Sequence, residues 1–253
     1  INPYTRKESF IELYNVGKQS FTWNAKVSDS WIKLSRQSGT TLLQERIIVS
    51  VDWTRVPVGE RVTGEIEVIS GDRQEKIYLP VFNPAYPTVG ELKGWYVEDN
   101  GCVSINPGKY HRKVENEDIK MKVIKGLGYE NQCIQLGEAT KPVYTFNAGS
   151  VTVYTYALPV FPVNSERSTC FGIMIDDGLL KYASNNAKEY SGEWRENVYR
   201  NSTINAVTLN IDKPGKHTLK LICSDPGMII QKVVIDMGGM KRSYLGPETT
   251  IVR

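Results

Sequence analysis

The chain has 253 residues, with 31 lysines and arginines against 28 aspartates and glutamates, which leaves a formal net charge of +3. Such an even balance gives no reason to expect a nucleic acid or an acidic membrane surface as a partner. No apolar run approaches the roughly 18 residues that a membrane span needs. We therefore expect neither a nucleic-acid partner nor a membrane span.

The chain begins at Ile1-Asn2-Pro3, without the basic and apolar pattern of a signal peptide. We expect either that a leader has been removed or that the chain is a piece of a longer protein. The second interpretation is favoured for reasons that follow from the motifs below.

The four cysteines, Cys102, Cys133, Cys170 and Cys223, are widely spaced and form no C-x-x-C motif, which argues against a zinc or redox site. Buried thiols that pack as small apolar groups are favoured. A Cys102–Cys133 disulfide is left open for an oxidising compartment.

Residues 1–85 show a succession of short strand patterns. Segments 10–14, 21–27, 31–35, 46–52, 63–70 and 76–81 carry alternating or β-branched apolar residues. Ser38-Gly39-Thr40 is interpreted as a turn, and Gly71-Asp72 as the turn of a hairpin. Six or seven short strands with regular turns predict a small immunoglobulin-like β-sandwich.

Two prolines within residues 83–87 predict an extended joint between domain 1–85 and domain 86–253. Beyond it we predict a short helix or loop at 194–201 and no long helix. The predicted strands are 95–97, 103–105, 120–125, 143–146, 150–158, 171–175 and 206–211. This pattern fits a galactose-binding-like jelly roll, so the whole chain is predicted to be all-β.

The second domain is organised around residues 215–236. Leu219 and Leu221 alternate with polar neighbours, which predicts a strand with one solvated face. Asp225-Pro226-Gly227 predicts a tight turn, and residues 228–235 place apolar groups on both faces. We therefore predict a hairpin whose second strand is buried on both sides and needs a layer above and below it.

Trp31-Ile32-Lys33-Leu34-Ser35, followed by Ser38-Gly39 and a strand at 49–52, is a short motif of the first domain. It resembles the BACON-type immunoglobulin-like domains attached to bacterial polysaccharide-degrading enzymes. Such domains are often spacers rather than sugar binders. The apolar residues around Trp31 favour a core position for this side chain over a sugar-stacking platform.

The second domain carries a set of motifs over most of residues 88–248, at 103–105, 126–128, 175–178, 215–220, 231–236, 238–239 and 243–248. This set resembles the C-terminal end of glycoside hydrolase family 115, the xylan α-1,2-glucuronidases. The resemblance implies a fragment, because in that family the catalytic machinery lies in larger N-terminal domains that include a TIM-like barrel. The matched part is an accessory β-sandwich associated with subunit contacts and architecture.

Related carbohydrate-binding jelly rolls usually have two acids after the strand that corresponds to 103–105, where they hold a structural calcium ion. Here those positions are Asn106, Pro107 and Gly108, while Asp236, another contributor, remains. Calcium prefers several charged oxygen ligands. The resemblance therefore implies a weak calcium site or none, and no other cofactor.

A glycosidase needs two carboxylates about 5–10 Å apart across a cleft. Asp176 and Asp177 are adjacent, and a solvated turn before Gly178 is favoured. Glu115, Glu117 and Asp118 are interleaved with lysines, which is typical of an exposed loop. We expect no catalytic residue in this chain.

Lys109-Tyr110-His111-Arg112 has the composition of a polysaccharide-lyase site, because these groups could abstract a proton and neutralise a uronate. No second cluster supports it, so a lyase is the least favoured alternative. His217, the other histidine, is expected to be structural.

Sugar binding by a β-sandwich needs exposed aromatic rings with polar side chains beside them. The best segment runs from Tyr190 to Asn197 and includes Trp194 and Arg195. Further candidates are Tyr199, Trp95, Tyr96 and Tyr110. Two alternatives stay open: Trp194 could plug one end of the sandwich, and solvent exposure alone could explain Arg195.

The sequence thus predicts a non-catalytic C-terminal region of a periplasmic or extracellular bacterial α-glucuronidase that acts on glucuronoxylan. Its role would be architecture, dimerisation or weak carbohydrate binding. The expected partners are N-terminal catalytic domains, the polysaccharide through the parent enzyme and, as an open alternative, a second copy of the chain. The alternative functions are an autonomous carbohydrate-binding module and a jelly-roll polysaccharide lyase.

Overall fold

The computed structural model describes residues 1–115, 117, 120–135, 137–160, 168–225 and 227–253. The chain divides into two compact units, Ile1–Glu91 and Leu92–Arg253. The boundary predicted after residue 85 falls inside the first unit. Asp118 and Pro226, which were discussed above, lie outside the described residues.

The first unit is a sandwich of two sheets. One sheet has the strand order β1-β5-β3 and the other the order β4-β2-β6-β7. The seven strands are β1 Ser9–Tyr14, β2 Phe21–Val27, β3 Ile32–Leu34, β4 Ser38–Thr41, β5 Gln44–Val51, β6 Gly59–Ser70 and β7 Arg73–Asn83.

Both sheets of the first unit contribute to its core. Trp31 is 4% exposed and packs with Val49, Ile66 and Leu79, so its predicted core position is confirmed. Gly64 leaves the space for this ring, because a Cβ atom there would lie 2.6 Å from the indole of Trp31.

The turn predicted at residues 38–40 is wrong, because these residues form strand β4. Gly39 pairs with Trp23 of β2, and a Cβ atom at Gly39 would lie 2.9 Å from the indole of Trp23. Glycine is needed here for close packing against a large ring rather than for a turn. The sequence pattern alone does not separate these two uses of glycine.

The described residues of the second unit form twelve strands and one α-helix, and a 3-10 helix, Gly90–Leu92, precedes the first of these strands. The first strands are β8 Tyr96–Val97, β9 Cys102–Ile105, β10 Arg112–Val114, β11 Lys122–Lys125, β12 Gln132–Gln135, β13 Glu138–Thr145 and β14 Gly149–Ala157. There follow β15 Cys170–Ile175, β16 Lys181–Ser184, α1 Gly192–Arg200, β17 Thr203–Ile211, β18 Gly215–Cys223 and β19 Ile229–Asp236.

These strands form two six-stranded sheets. The first has the order β10-β13-β18-β15-β16, with β8 beside β13. The second has the order β11-β12-β19-β14-β17, with β9 beside β19. Apolar residues from both sheets share one core, which includes Val143, Phe171 and Leu219 from the first and Val153 and Ile235 from the second. The predicted all-β fold is confirmed.

The hairpin predicted at residues 215–236 is wrong, although both of its strands exist. Strand β18 lies between β13 and β15, whereas β19 lies between β12 and β14 in the other sheet. Because both edges of each strand are already paired, the connection between them crosses from one sheet to the other. Leu221 of β18 and Val233 of β19 therefore meet in the core from opposite sheets.

Strand β19 is buried on both faces, as predicted, and its outer layer is the C-terminal segment. Lys232 points away from the core, and its Nζ donates hydrogen bonds to the carbonyl oxygens of Leu245 (2.9 Å) and Pro247 (2.8 Å). Ser104 of the neighbouring β9 donates to the same Pro247 carbonyl. The second covering layer is thus a loop instead of a sheet.

All four cysteines carry thiols, and a Cys102–Cys133 disulfide is incompatible with the register. Cys102 lies opposite Asp236 of β19, while Ile134, next to Cys133, lies opposite Ile230. Cys133 therefore falls opposite Gln231, five residues along β19 from Asp236. Five residues along a strand correspond to roughly 16 Å. A disulfide needs Cα atoms within about 7 Å.

Candidate functional site

The single α-helix of the described chain, α1, carries four of the predicted sugar-binding residues. Its N-terminus is capped by Ser191, whose side chain accepts a hydrogen bond from the backbone N–H of Trp194 (3.1 Å). Its C-terminus is closed by Asn201 in the left-handed conformation (φ 48°). A helix this short, with both ends capped, holds its side chains in fixed directions beside β17.

The helix separates two cavities, which we name by their linings. The helix cavity has a volume of about 340 Å³ and lies on the side of Trp194, Asn197 and Val198. The tyrosine cavity has a volume of about 560 Å³ and lies on the side of Glu196, Tyr199 and Arg200. The helix cavity is completed by Pro159, Val160, Asn185, Asn186, Ala187, Lys188, Glu189 and Thr203. The tyrosine cavity is completed by Tyr154, Tyr156, Ile204, Met240, Arg242, Ser243 and Tyr244.

Two polar groups of the helix cavity have no partner within the described chain. The indole Nε1–H of Trp194 is buried and has no hydrogen-bond acceptor. Asn197 is 6% exposed as a residue, but its side-chain amide, which has no hydrogen-bond partner in the described chain, is not enclosed and faces the open space of the cavity. Buried polar groups are almost always paired, so the unpaired indole N–H of Trp194 calls for an explanation.

The neighbouring amide on the same cavity is fully engaged. Asn185 accepts a hydrogen bond from Asn205 (2.6 Å) and donates one to the carbonyl oxygen of Leu158 (3.3 Å). It ties the loop after β16 to β17 and to the end of β14. Asn185 thus holds the wall of the cavity, while Asn197 stays available.

The tyrosine cavity is built from rings and a surface ion pair. Arg200 donates to Glu196 at 3.0 Å, and the Tyr244 hydroxyl donates to the carbonyl oxygen of Tyr199 at 3.2 Å. Tyr199 and Tyr244 are largely exposed, whereas Tyr156 is buried at the base. Burial raises the pKa of Tyr156, so its hydroxyl stays protonated. This surface can pack against a ring or an apolar face.

The model of the glycosyl hydrolase family 115 C-terminal domain matches residues 95–249, which include most of the second unit. The chain belongs to glycoside hydrolase family 115. The match leaves residues 1–94 outside, so the resemblance of the first unit to BACON-type domains stays a prediction.

Several solved structures resemble parts of this family 115 chain. A 4-O-methyl-α-glucuronidase of family 115, described as specific for decorated arabinogalactans, is 26% identical with a TM-score of 0.45 and covers 52% of this chain and 17% of its own. The matched part of the chain thus corresponds to about a sixth of that enzyme's length.

Two further resemblances are more remote. A Podospora anserina β-1,4-mannanase with a family 35 carbohydrate-binding module is 8% identical, with a TM-score of 0.40 and coverage of 57% of this chain and 29% of its own. A family 6 module of a laminarinase from Zobellia galactanivorans is 13% identical, with a TM-score of 0.34 and coverage of 53% and 98%. A search of curated proteins finds no match.

Tyr190 and Trp194 do not form a flat stacking platform in this family 115 domain. Their ring centroids are 5.2 Å apart, but the rings are tilted by 53°. Tyr190 is 74% exposed, in the left-handed conformation. Arg195 is exposed and lines neither cavity within the described chain. Of the predicted residues, the fold brings Trp194 and Asn197 together and leaves Tyr199 on the other side of α1.

The remaining aromatic candidates lie beside the other sheet of the domain. The Nζ atom of Lys216 is 5.3 Å from the ring of Trp95, and that of Lys141 is 5.4 Å from the ring of Tyr110. Tyr96 is 1% exposed and donates to the carbonyl oxygen of Asn106, so the prediction of a sugar contact there is wrong. Tyr96 is a core residue because β8 runs parallel to β13 inside the fold.

The basic cluster at residues 109–112 does not line any of the three cavities described. His111 and Arg112 are exposed at the edge strand β10. Each cavity has one carboxylate among its described lining residues: Glu189 in the helix cavity, Glu196 in the tyrosine cavity, and Asp212 in a third cavity of about 540 Å³. The paired carboxylates that a glycosidase uses are not found there.

The residues predicted to approach calcium bond to the protein itself. Asp236 accepts hydrogen bonds from the backbone N–H groups of Gly238 (2.9 Å) and Met240 (3.0 Å). Asn106 accepts one from the Gly108 N–H (2.8 Å) and donates to Glu130. Within the described ranges, no three His, Cys, Asp or Glu side chains are grouped to hold a metal ion. This donor set does not fit calcium.

His217 is structural, as expected. Its Nδ1 lies 2.8 Å from Asp176, its Nε2 lies 2.9 Å from the Lys213 carbonyl oxygen, and the ring is 6% exposed. Asp176 also accepts from the Thr218 N–H, so this carboxylate joins the turn to β18 instead of facing only solvent. Asp177 pairs with Lys220 at the surface, and this hydrogen bond lowers its pKa.

Sequence reasoning missed two buried polar side chains of the domain, Lys141 and Asn185. Lys141 is completely buried on β13, and its Nζ donates to the Pro107 carbonyl oxygen at 2.6 Å. Burial lowers the pKa of Lys141 to about 6. Asn185 was also missed, although the run Asn185-Asn186 between a strand and a helix is a recognisable polar loop.

None of the helices in the described ranges is both long and apolar enough to cross a membrane.

Proposed function

We propose that this chain is a non-catalytic C-terminal accessory region of a bacterial family 115 α-glucuronidase that acts on glucuronoxylan outside the cytoplasm. The observation that carries the proposal is the family match over residues 95–249 on a unit whose described cavities each offer one carboxylate. Hydrolysis of a glycosidic bond needs a second carboxylate across the cleft.

The test is a hydrolysis assay. The chain is incubated with 4-O-methylglucuronoxylan and with its acidic xylo-oligosaccharides, and released 4-O-methylglucuronate is measured by chromatography. A complete family 115 α-glucuronidase serves as the positive control. We expect no release from the chain. Release that scales with its concentration would contradict the proposal.

An architectural role is supported by the rim of the tyrosine cavity. Tyr199, Tyr244 and Leu245 expose 78%, 59% and 51% of their surfaces. Exposed rings and leucines in one place are typical of contact surfaces. We infer that this rim packs against the N-terminal catalytic domains of the parent enzyme. If the rim instead joins two copies of the chain, sedimentation will show a dimer that Tyr244→Ser dissociates.

Carbohydrate binding is a second candidate function. The specific observation in its favour is the helix cavity, in which an indole N–H and a side-chain amide are left without partners. Its volume lies within the range of small-ligand sites, about 300–1,000 Å³. The ligand class and the residues that would hold it are argued next.

A further inference from the structure

The helix cavity combines a small volume with two unused hydrogen-bonding groups. Asn197 and Trp194 are three positions apart on α1, so both side chains lie on one side of the helix. The other buried hydroxyls without a partner, on Tyr129, Thr145 and Thr155, line none of the three described cavities. Among the described residues and the three described cavities, only the helix cavity is lined by a residue that carries a buried polar atom without a partner.

We propose that the helix cavity binds one residue of an uncharged sugar chain, held by Asn197 and Trp194. This inference rests on the proposed accessory role and names the ligand class of its second candidate function. The Asn197 amide offers one donor group and one acceptor, which matches two neighbouring hydroxyls. The indole N–H of Trp194 supplies a further donor to a hydroxyl oxygen.

The remaining lining suits the other face of a sugar ring. Pro159, Val160 and Val198 give the cavity an apolar wall, against which the C–H face of a pyranose can pack. The Trp194 ring adds aromatic surface. An apolar wall with a few convergent polar groups is the usual composition of a small-ligand site.

The charges around the cavity argue for a neutral ligand. Lys188 and Glu189, the two charged residues of its described lining, are both exposed and opposite in sign. A buried cation would be needed to hold a uronate carboxylate away from water. The sugar that fits is therefore a backbone residue of the polysaccharide instead of its acidic branch.

The access route passes the loop before the helix. The ring of Tyr190 packs on Trp194 at 5.2 Å and is itself mostly exposed, so it can move without leaving the core. The wall of the cavity is held by the two hydrogen bonds of Asn185.

The alternative is that Trp194 only plugs the end of the sandwich. A plug would be expected to satisfy its buried N–H within the protein, as most buried indoles do. The Asn197 amide, which faces the same cavity, gives a sugar hydroxyl a second group to pair with. The two interpretations differ in what happens when either group is removed.

The experiment is a titration of the whole chain followed by ¹⁵N–¹H NMR and calorimetry. The probes are xylohexaose, galactohexaose and mannohexaose at millimolar concentration. The indole signal that is missing in Trp194→Phe identifies Trp194. We expect at least one probe to shift this signal, and Asn197→Ala and Trp194→Phe each to weaken its binding about tenfold or more. Glu196→Gln, on the other side of α1, should bind as the original chain does.

A stability measurement separates loss of the site from loss of the fold. Because the Asn197 amide has no partner, Asn197→Ala should unfold at the same or a higher urea concentration while binding is lost. If that variant fails to fold, Trp194→Phe, which keeps an aromatic ring, carries the test. An unmoved Trp194 signal with all three probes would overturn the proposal.

A matched pair of ligands tests the neutral specificity. Xylotriose and the same trisaccharide bearing 4-O-methylglucuronate should bind with equal affinity. Tighter binding of the acidic form by about tenfold would overturn the claim of an uncharged ligand. Failure of all probes leaves the hydrolysis assay unaffected, so the accessory role and the sugar site can fail separately.

Discussion

Two tryptophans in the two units of the chain have opposite hydrogen-bonding states. Trp23 of the first unit is 1% exposed, and its Nε1–H donates to the Thr41 hydroxyl at 3.0 Å. Trp194 of the second unit is half-buried, and its Nε1–H has no acceptor within the described chain. Trp23 is a core residue whose polar atom is paired, whereas Trp194 borders a cavity.

The comparison shows that burial of a ring does not by itself distinguish structure from function. A buried polar atom left without a partner costs free energy, typically 1–3 kcal/mol. A protein that keeps such an atom beside an open space gives up stability there, which is common at binding sites. Pairing of polar atoms is therefore a better criterion than exposure.

The largest effect is expected when each tryptophan is replaced by phenylalanine, because the loss of stability should be large at Trp23 and small at Trp194. Trp23→Phe should lower the free energy of unfolding of the first unit by about 2–4 kcal/mol, because the smaller ring leaves a cavity and removes the donor to Thr41. Trp194→Phe should cost less than about 1 kcal/mol, because no hydrogen bond is lost. Urea unfolding measures both.

The control for the paired ring is Thr41→Val, which removes the acceptor and leaves the indole in place. It should reproduce the hydrogen-bond part of the Trp23→Phe loss, together with the loss of the bond that the Thr41 hydroxyl donates to Glu45 (3.0 Å). Equal losses in Trp23→Phe and Trp194→Phe would break the comparison, since they would mean that both indoles are structural.

Lys141 offers a second contrast, because it is a buried polar group that has its partner. Its pKa, lowered to about 6 by burial, lies below the usual value of a lysine in the unfolded chain. Between these two values the unfolded chain binds more protons, so the free energy of unfolding rises with pH, by at most about 1.4 kcal/mol per pH unit. Below about pH 6 both states are protonated and the dependence ends.

Lys141→Met should remove this pH dependence. Urea unfolding at about pH 7 and about pH 9 gives the difference between the slopes of the two chains. Thr140→Met places the same side chain on the same strand without removing the amine, and should keep the original slope. An unchanged slope in Lys141→Met would mean that the buried amine is charged in the folded protein.

The sequence was sufficient for most strands and for the family, because period-two alternation and the motifs at 215–248 are local signals. It did not give the pairing of β18 and β19, since a short connection can join neighbours in one sheet or cross between two. The strand β4 was missed because Gly39, which makes room for Trp23, has the same appearance as a turn glycine.

The candidate site was only partly predictable. The polar and aromatic segment 190–197 could be recognised, and Trp194 and Asn197 do line one cavity. Which residues face which side of α1 depends on the phase of the helix, and whether an amide is paired depends on distant strands. Asn185 and Lys141 depend wholly on such long-range contacts.

The helix cap should have a moderate effect. Ser191→Ala removes the acceptor of the backbone N–H of Trp194 at the start of α1 and should cost about 1 kcal/mol. Thermal unfolding followed by circular dichroism measures the loss, and Ser191→Asp, which also caps helices, should retain stability. If Ser191→Ala unfolds like the original chain, the position of Trp194 does not depend on the cap.

The smallest effect is expected at the Glu196–Arg200 pair, on the side of α1 opposite to the helix cavity. The pair is four residues apart and solvent-exposed, so Glu196→Gln should cost only about 0.3–0.5 kcal/mol at low salt. At about 1 M salt, where charges are screened within about 3 Å, the cost should disappear. A larger loss that persists in salt would mean that this side of the helix is held by more than surface charge. In that case the side of α1 that carries Glu196 and Arg200 would also contribute to the stability of the fold.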